Sequence, residues 1–203
     1  GSLQLSSVND RNKATAPRVV DVNLDGSSDL AYVGDLNGSL WRIQFNHSGS
    51  PAAWTVSELY GDREPITARP AVAFGEESAL YVYVGTGAYL DEDDMLSAEQ
   101  NYFLGVIDRH DGSTASLNSL VDQTDGNQDI GDDDGWYVAL VNEPGERITS
   151  QAVVAAQTVI VTSYAPNLTA CVSGGTSYLY RLRYDDGGQP QPDDGSDPPP
   201  RVQ

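Results

Sequence analysis

Three stretches of this chain repeat one pattern, in which short apolar strands alternate with turn residues. The first runs from Ala16-Pro17-Arg18-Val19-Val20 through Tyr32-Val33-Gly34-Asp35 to Ser39-Leu40-Trp41-Arg42-Ile43. The second runs from Arg69-Pro70-Ala71-Val72-Ala73 through Tyr83-Val84-Gly85-Thr86 to Tyr102-Phe103-Leu104-Gly105-Val106-Ile107-Asp108. The third runs from Gln151-Ala152-Val153-Val154 through Val159-Ile160-Val161-Thr162 to Ser177-Tyr178-Leu179-Tyr180-Arg181-Leu182. Each reads as strand, turn, strand, turn, strand. A further strand is expected after the first two, at Ala53-Trp54-Thr55-Val56-Ser57 and near Ala115–Val121. Four short antiparallel strands per repeat is the signature of propeller blades. The expectation is therefore an all-β fold: β-propeller-like repeats of four-stranded antiparallel sheets, about three to four blades, a partial propeller.

The repeats are unevenly spaced. Pro17 and Pro70 stand 53 residues apart, Pro70 and Ala152 82. The second blade must carry insertions, placed at Tyr89–Gln100 and Asp122–Gly135, and the one short helix is expected over Asp94–Asn101. Three blades leave strand edges open, which proteins normally avoid. The chain is thus read as a fragment, as packed against another chain or segment that supplies the missing blades, or as covering its edges with its own tail. Residues 1–184 are assigned to the partial propeller and 185–203 to a Pro/Asp/Gly-rich C-terminal tail with polyproline character at Pro198-Pro199-Pro200.

Residues 21–29, Asp-Val-Asn-Leu-Asp-Gly-Ser-Ser-Asp, place a polar oxygen at every second position. A calcium ion takes six to eight oxygens from carboxylates, amides and main-chain carbonyls. Asp21, Asn23, Asp25 and Asp29 would give side-chain oxygens and Ser27 its carbonyl, with Gly26 at the sharp turn. Position twelve of the pattern is Tyr32, where an EF-hand has Glu, and the flanks Pro17–Val20 and Leu30–Val33 are too short for helices. The loop is therefore expected to join two strands and bind Ca2+. The plainer alternative is a solvated Asp/Gly turn.

Thirty acidic residues against eleven basic ones give a net charge of −19. Such a surface repels phosphate backbones and anionic headgroups, so neither nucleic acid nor a membrane surface is an expected partner. An acidic, lysine-poor surface also occurs in proteins from salty surroundings. No run reaches the length of a membrane span, and no signal peptide is read at the start. Cys171 is the single cysteine, so no disulfide closes within the chain.

Other candidates carry less. Asp125-Gly126-Asn127-Gln128-Asp129 repeats the second half of the first loop, but Val121 and Gln123 stand where Asp21 and Asn23 stood. Asp91-Glu92-Asp93-Asp94 reads as charged surface. His47 and His110 both fall in expected turns, without zinc-type spacing. Gly174-Gly175-Thr176-Ser177 lacks the lysine of a phosphate loop. Trp41, Trp54 and Trp136 are expected to fill the spaces between blades. No enzyme is expected.

Asp21–Asp35 followed by Gly38-Ser39-Leu40-Trp41-Arg42 resembles the calcium-loop blade of the PilC/PilY-type pilus tip-associated proteins of type IV pili. Gly85-Thr86-Gly87, Gly135-Trp136-Tyr137, Gly145-Glu146-Arg147-Ile148-Thr149 and Cys171 with Gly174–Tyr180 follow in the order of that family's C-terminal propeller. The resemblance implies a secreted, cell-surface pilus-tip protein that serves pilus biogenesis and attachment. Its partners would be minor pilins or other tip subunits and a host or abiotic surface. It also implies that calcium at Asp21, Asn23, Asp25, Ser27 and Asp29 bears on pilus extension and retraction. The chain departs from the family in lacking a complete propeller and the large N-terminal region, and it has no Arg-Gly-Asp tripeptide. Two other classes share parts of the pattern. Quinoprotein dehydrogenases combine such repeats with calcium and a cofactor, integrin-type calcium propellers carry the same loop in several blades, and an exposed tryptophan would point to a lectin-like module.

Overall fold

The computed structural model describes residues 12–75, 79–126, 128–169, 174–190 and 201–203. Strands β1 (Arg18–Val20), β2 (Leu30–Gly34), β3 (Ser39–Gln44) and β4 (Thr55–Gly61) form an antiparallel meander in chain order. A second sheet holds β5 (Ala71–Phe74), β6 (Leu80–Gly85), β7 (Tyr102–Asp108), β8 (Val121–Asp122) and β9 (Gly135–Ala139), in the order β5-β6-β7-β9-β8. The third sheet is β10 (Val153–Ala155), β11 (Thr158–Pro166) and β12 (Gly175–Arg183). These are three propeller blades, as the repeats predict, and Cys171 lies outside the described residues.

Two elements differ from expectation. The fourth strand of the second blade is Gly135–Ala139, antiparallel to β7, and Val121–Asp122 lies outside it as a parallel fifth. Residues near 115 are taken elsewhere. Ala115 bridges to Tyr60 of the first blade, receiving the Gly61 N–H and donating its own to Leu59, and a 3-10 turn at Leu117–Ser119 then breaks the run. The short helix, α1 (Glu92–Leu96), begins earlier than Asp94. The Asp91 side chain caps it by accepting the Asp94 N–H, and three acids in its first turn oppose the positive end of the helix dipole.

On the third blade the last residues run antiparallel to β12. Leu179 and Gln203 exchange both backbone hydrogen bonds, and the Arg181 N–H reaches the Arg201 carbonyl. Part of the β12 edge is thus covered by the chain itself.

Strand periodicity explains the core. In β6, Leu80, Val82 and Val84 face the first blade and meet Leu30, Tyr32 and Leu40, whereas Tyr83 faces the third and meets Val159, Val161 and Leu182. The middle sheet buries both faces, which is why Leu80–Gly85 reads as an unbroken apolar run. Trp136 fills the space between the second and third blades, lying so close to Gly105 that a Cβ there would overlap its indole. Trp54 does not lie between two blades of this chain. It packs on Phe45 on the far face of the first sheet, with ring centroids 4.5 Å apart, beside Ala31, Val33 and Ile43. Trp41 pairs with Val33 on that same face.

Buried carboxylates join these layers. Asp108, 2% exposed, accepts from the Tyr32 hydroxyl at 2.7 Å, Arg42 Nη1 at 2.9 Å and the His110 N–H at 2.8 Å, so it ties the first blade to the second. Burial and the neighbouring Asp108 push the Tyr32 phenol far above its ordinary value, so it stays a donor. Asp35 gathers the N–H groups of Asn37 and Ser39 and the Trp41 indole, fixing the β2–β3 turn. Glu146, 1% exposed, accepts from Tyr180, Ser163 and Asn142 and joins the second blade's exit to the third. Removing one member of a buried ion pair strands the other charge and costs about 3–5 kcal/mol. Arg42→Ala should therefore lower the unfolding free energy in urea by about that amount, and Arg42→Met with Asp108→Asn should recover much of it. A loss for the single variant below about 1 kcal/mol would mean the pair does not hold the blades together.

Candidate metal loop

The loop of residues 21–29 closes a hairpin. Val20 at the end of β1 stands opposite Leu30 at the start of β2, and the Asp29 N–H donates to the Val20 carbonyl at 2.9 Å. The expectation that the oxygen-rich stretch joins two strands is met. Leu24 and Gly26 adopt left-handed conformations with φ of 60° and 90°. Nothing lies within 4 Å of a Cβ at Gly26, so backbone conformation alone favours glycine there.

The loop's acidic side chains fold in on its own backbone. Asp21 accepts from the N–H groups of Asp25 at 3.2 Å and Gly26 at 2.8 Å. Asn23 Oδ1 accepts from Asp25 at 2.9 Å, and Asp25 Oδ1 from Ser27 at 2.8 Å. Asp29 Oδ2 accepts from Val22 at 2.8 Å, reaching across the full loop. The sequence-predicted residues Asp21, Asn23, Asp25, Ser27 and Asp29 are thus brought into one hydrogen-bonded loop, exposed from Asn23 to Ser28. The Ser27 N–H holds the Asp25 carboxyl below the usual carboxylate range. His47 Nδ1 stands 3.8 Å from Asp29 Oδ1.

The donor set is all oxygen, which suits a hard divalent cation. Among the described residues no three Asp, Glu, His or Cys side chains converge as a ready cage. An ion here would draw on the Asn23 amide oxygen and the Ser27 carbonyl as well as on the carboxylates.

The second acidic insertion is organised differently. Buried Gln123 bonds the Gln128 backbone through both ends of its amide. Arg201 donates to the carbonyls of Gln123 at 2.7 Å, Thr124 at 2.9 Å and Gly187 at 2.9 Å. A guanidinium from the end of the chain therefore occupies carbonyls that a cation would use. Both histidines sit in turns with positive φ, His47 fully on the surface and His110 beside Asp108. Two shallow surface clefts, of about 500 and 310 Å³, share Tyr81 and Ile130 and lie away from the 21–29 loop. Sequence reading missed the roles of Asp108, Glu146, Arg147 and Arg201, whose partners lie far along the chain. For Asp108 the available signal is a charge that closes an apolar strand, as in Val106-Ile107-Asp108.

Residues 7–130 match the family model described as the PilY1 β-propeller domain. A type IV pilus biogenesis factor PilY1 homolog of Xylella fastidiosa is 28% identical over 207 residues, covering 84% of this chain and 14% of its own length. The type IV pilus biogenesis factor PilY1 of Pseudomonas aeruginosa is 27% identical over 262 residues, covering 88% of this chain and 22% of its own length. The chain thus spans less than a quarter of these relatives. The crystal structure of the Pseudomonas aeruginosa PilY1 C-terminal domain matches with a TM-score of 0.72 at 21% identity, over 92% of this chain and 50% of that one, a likeness of fold. The family match covers more than half of the sequence, and the chain belongs to the PilY1 β-propeller domain family.

Proposed function

We propose that this chain is the calcium-binding propeller portion of a cell-surface type IV pilus protein that serves pilus biogenesis or adhesion, without enzymatic activity. The observation that carries the reading is the 21–29 hairpin loop, whose phased oxygens sit at one end of a blade in a PilY1-family propeller. The relatives' role in type IV pilus biogenesis supports the pilus assignment. Asp21, Asn23, Asp25 and Asp29 by side chain and Ser27 by its carbonyl would hold the ion. Calcium would neutralise acids that otherwise repel one another and so fix the β1–β2 end of the first blade. Its occupancy would tune a surface that docks a minor pilin or other tip subunit, and through it attachment to a host or abiotic surface.

Calorimetric titration with calcium tests the site. The protein should bind at one tightest site, and Asp25→Ala should weaken that site at least about ten-fold. At a hundred times the Kd, calcium should add about 2.7 kcal/mol to stability, a gain the variant loses. Equal affinity in the two proteins would place the ion elsewhere. A pull-down with minor pilins should recover more of the protein with calcium than with chelator, and equal recovery would remove the coupling.

The pH dependence follows from Asp25. Its carboxyl is held down in the folded loop, so its contribution is complete above the ordinary carboxylate range and disappears as pH falls through the lower folded value. Calcium affinity should stay level from about pH 7 to 5 and drop only below about pH 4. A fall already complete by about pH 5 would show that Asp25 does not set the dependence.

A further inference from the structure

The loop between β6 and β7 is a long excursion where the first blade has only the tight Asp35–Gly38 turn. It lies at the opposite end of the blades from the 21–29 loop, since β2 starts at that loop and β6 ends, as β2 does, at a glycine leading into the next turn. Two features of this segment, residues 86–101, do not serve the core.

The first is what it exposes. Among the described residues nine large apolar side chains are exposed, and four of them, Tyr89, Leu90, Met95 and Leu96, lie here, with Leu90 at 66%. A fifth, Val141 at 63%, adjoins them, because Gln100 Nε2 donates to the Leu140 carbonyl and the Leu140 N–H to that of Asn101. Beside Val141, an open cleft of about 440 Å³ is lined by Glu143, Pro144, Pro166 and Leu168. Clustered exposed apolar side chains of this kind mark contact sites.

The second is how firmly the segment is held. Arg147, 2% exposed, spends its guanidinium on main-chain carbonyls. Nη1 donates to Ala88 at 2.7 Å and also to Asp94, Nη2 to Ser97 at 2.8 Å, and Nε to Gly145 at 2.8 Å. Its Cζ lies 5.9 Å from the centre of the Tyr89 ring, which meets Tyr164 edge-on. Asn101, also buried, donates to the carbonyls of Glu99 and Glu146. A buried arginine is thus committed to shaping a surface loop, so the entropy of ordering that loop is already met before anything binds.

Charge selects the occupant. Residues 86–101 carry Asp91, Glu92, Asp93, Asp94 and Glu99 and no lysine or arginine, and Glu143 adds another acid at the rim. A second copy would set acids against acids, and phosphate-bearing partners would be repelled. We propose that the 86–101 segment, with Val141, is a preformed docking surface for a protein segment that combines an apolar stripe with lysine or arginine at its edges. The apolar stripe would cover Leu90, Met95 and Leu96, and the cations would meet Glu92, Asp93 and Glu99. This surface is independent of calcium at the 21–29 loop.

The test uses two fluorescent peptides of equal charge, one an amphipathic Leu/Lys helix and the other with its leucines replaced by serine. Anisotropy titrations against the full chain should show the Leu/Lys peptide binding at least about ten-fold more tightly. Leu90→Ser with Leu96→Ser should abolish that preference, and Glu92→Lys with Asp93→Lys should weaken the Leu/Lys peptide at least about ten-fold. Asp132→Lys with Asp133→Lys, the same charge change on remote acids, should alter neither result. Equal binding of the two peptides, or the same loss for the remote pair as for Glu92 and Asp93, would reduce the effect to bulk charge and overturn the proposal. Sedimentation showing a dimer that Leu90→Ser with Leu96→Ser dissolves would overturn it in favour of self-association.

Discussion

Thirty acidic side chains share eleven basic ones, so most carboxylates in this protein must find neutral partners. An ionised carboxylate out of water without donors is costly, and its oxygens tolerate burial only when N–H and O–H groups converge on them. The fold is arranged around that requirement. Asp35 is satisfied by two backbone N–H groups and an indole, and Glu146 by two hydroxyls and an amide. Asp108, which also has a cation, needs a phenol and a backbone N–H besides. Asp35 and Asp108 stand where a strand ends, and Glu146 in the passage from the second blade to the third. The acids thereby convert an electrostatic burden into the joints of the structure.

The 21–29 loop is the same device on the surface. Its carboxylates accept from the loop's own N–H groups, which shapes the turn but leaves its net charge in place. The proposed divalent cation would add what backbone donors cannot, namely opposite charge. The arginines show the complementary solution. Arg147 and Arg201 turn to main-chain carbonyls and pin the two insertions of the middle blade. Cations are scarce in this sequence, and the structure spends two of them on loops.

Local patterns were legible in the sequence and distant pairings were not. Short apolar runs between turn residues gave the first three strands of every blade, and the phase of Asp21, Asn23, Asp25 and Asp29 with Gly26 located the hairpin loop. Both signals lie within a few residues, so the chain displays them directly. The fourth strand of the middle blade was misplaced because Ala115 is claimed by Tyr60, 55 residues earlier, which no local pattern records. Helix α1 began early because Asp91 caps it, a signal present in the run of acids but read there as surface charge. The pairing of residues 201–203 with β12 meets the reading that the chain covers an edge with its own tail, although no local pattern named the strand it joins.

The account rests on a loop that its backbone shapes in advance and a cation completes. Amide hydrogen exchange at Val22, Asp25, Gly26 and Ser27, four of the backbone donors to the loop's acids, tests this most directly. The account predicts measurable protection in chelator and a further slowing at all four when calcium is added. Exchange at the rate of an unstructured chain in both conditions would contradict it.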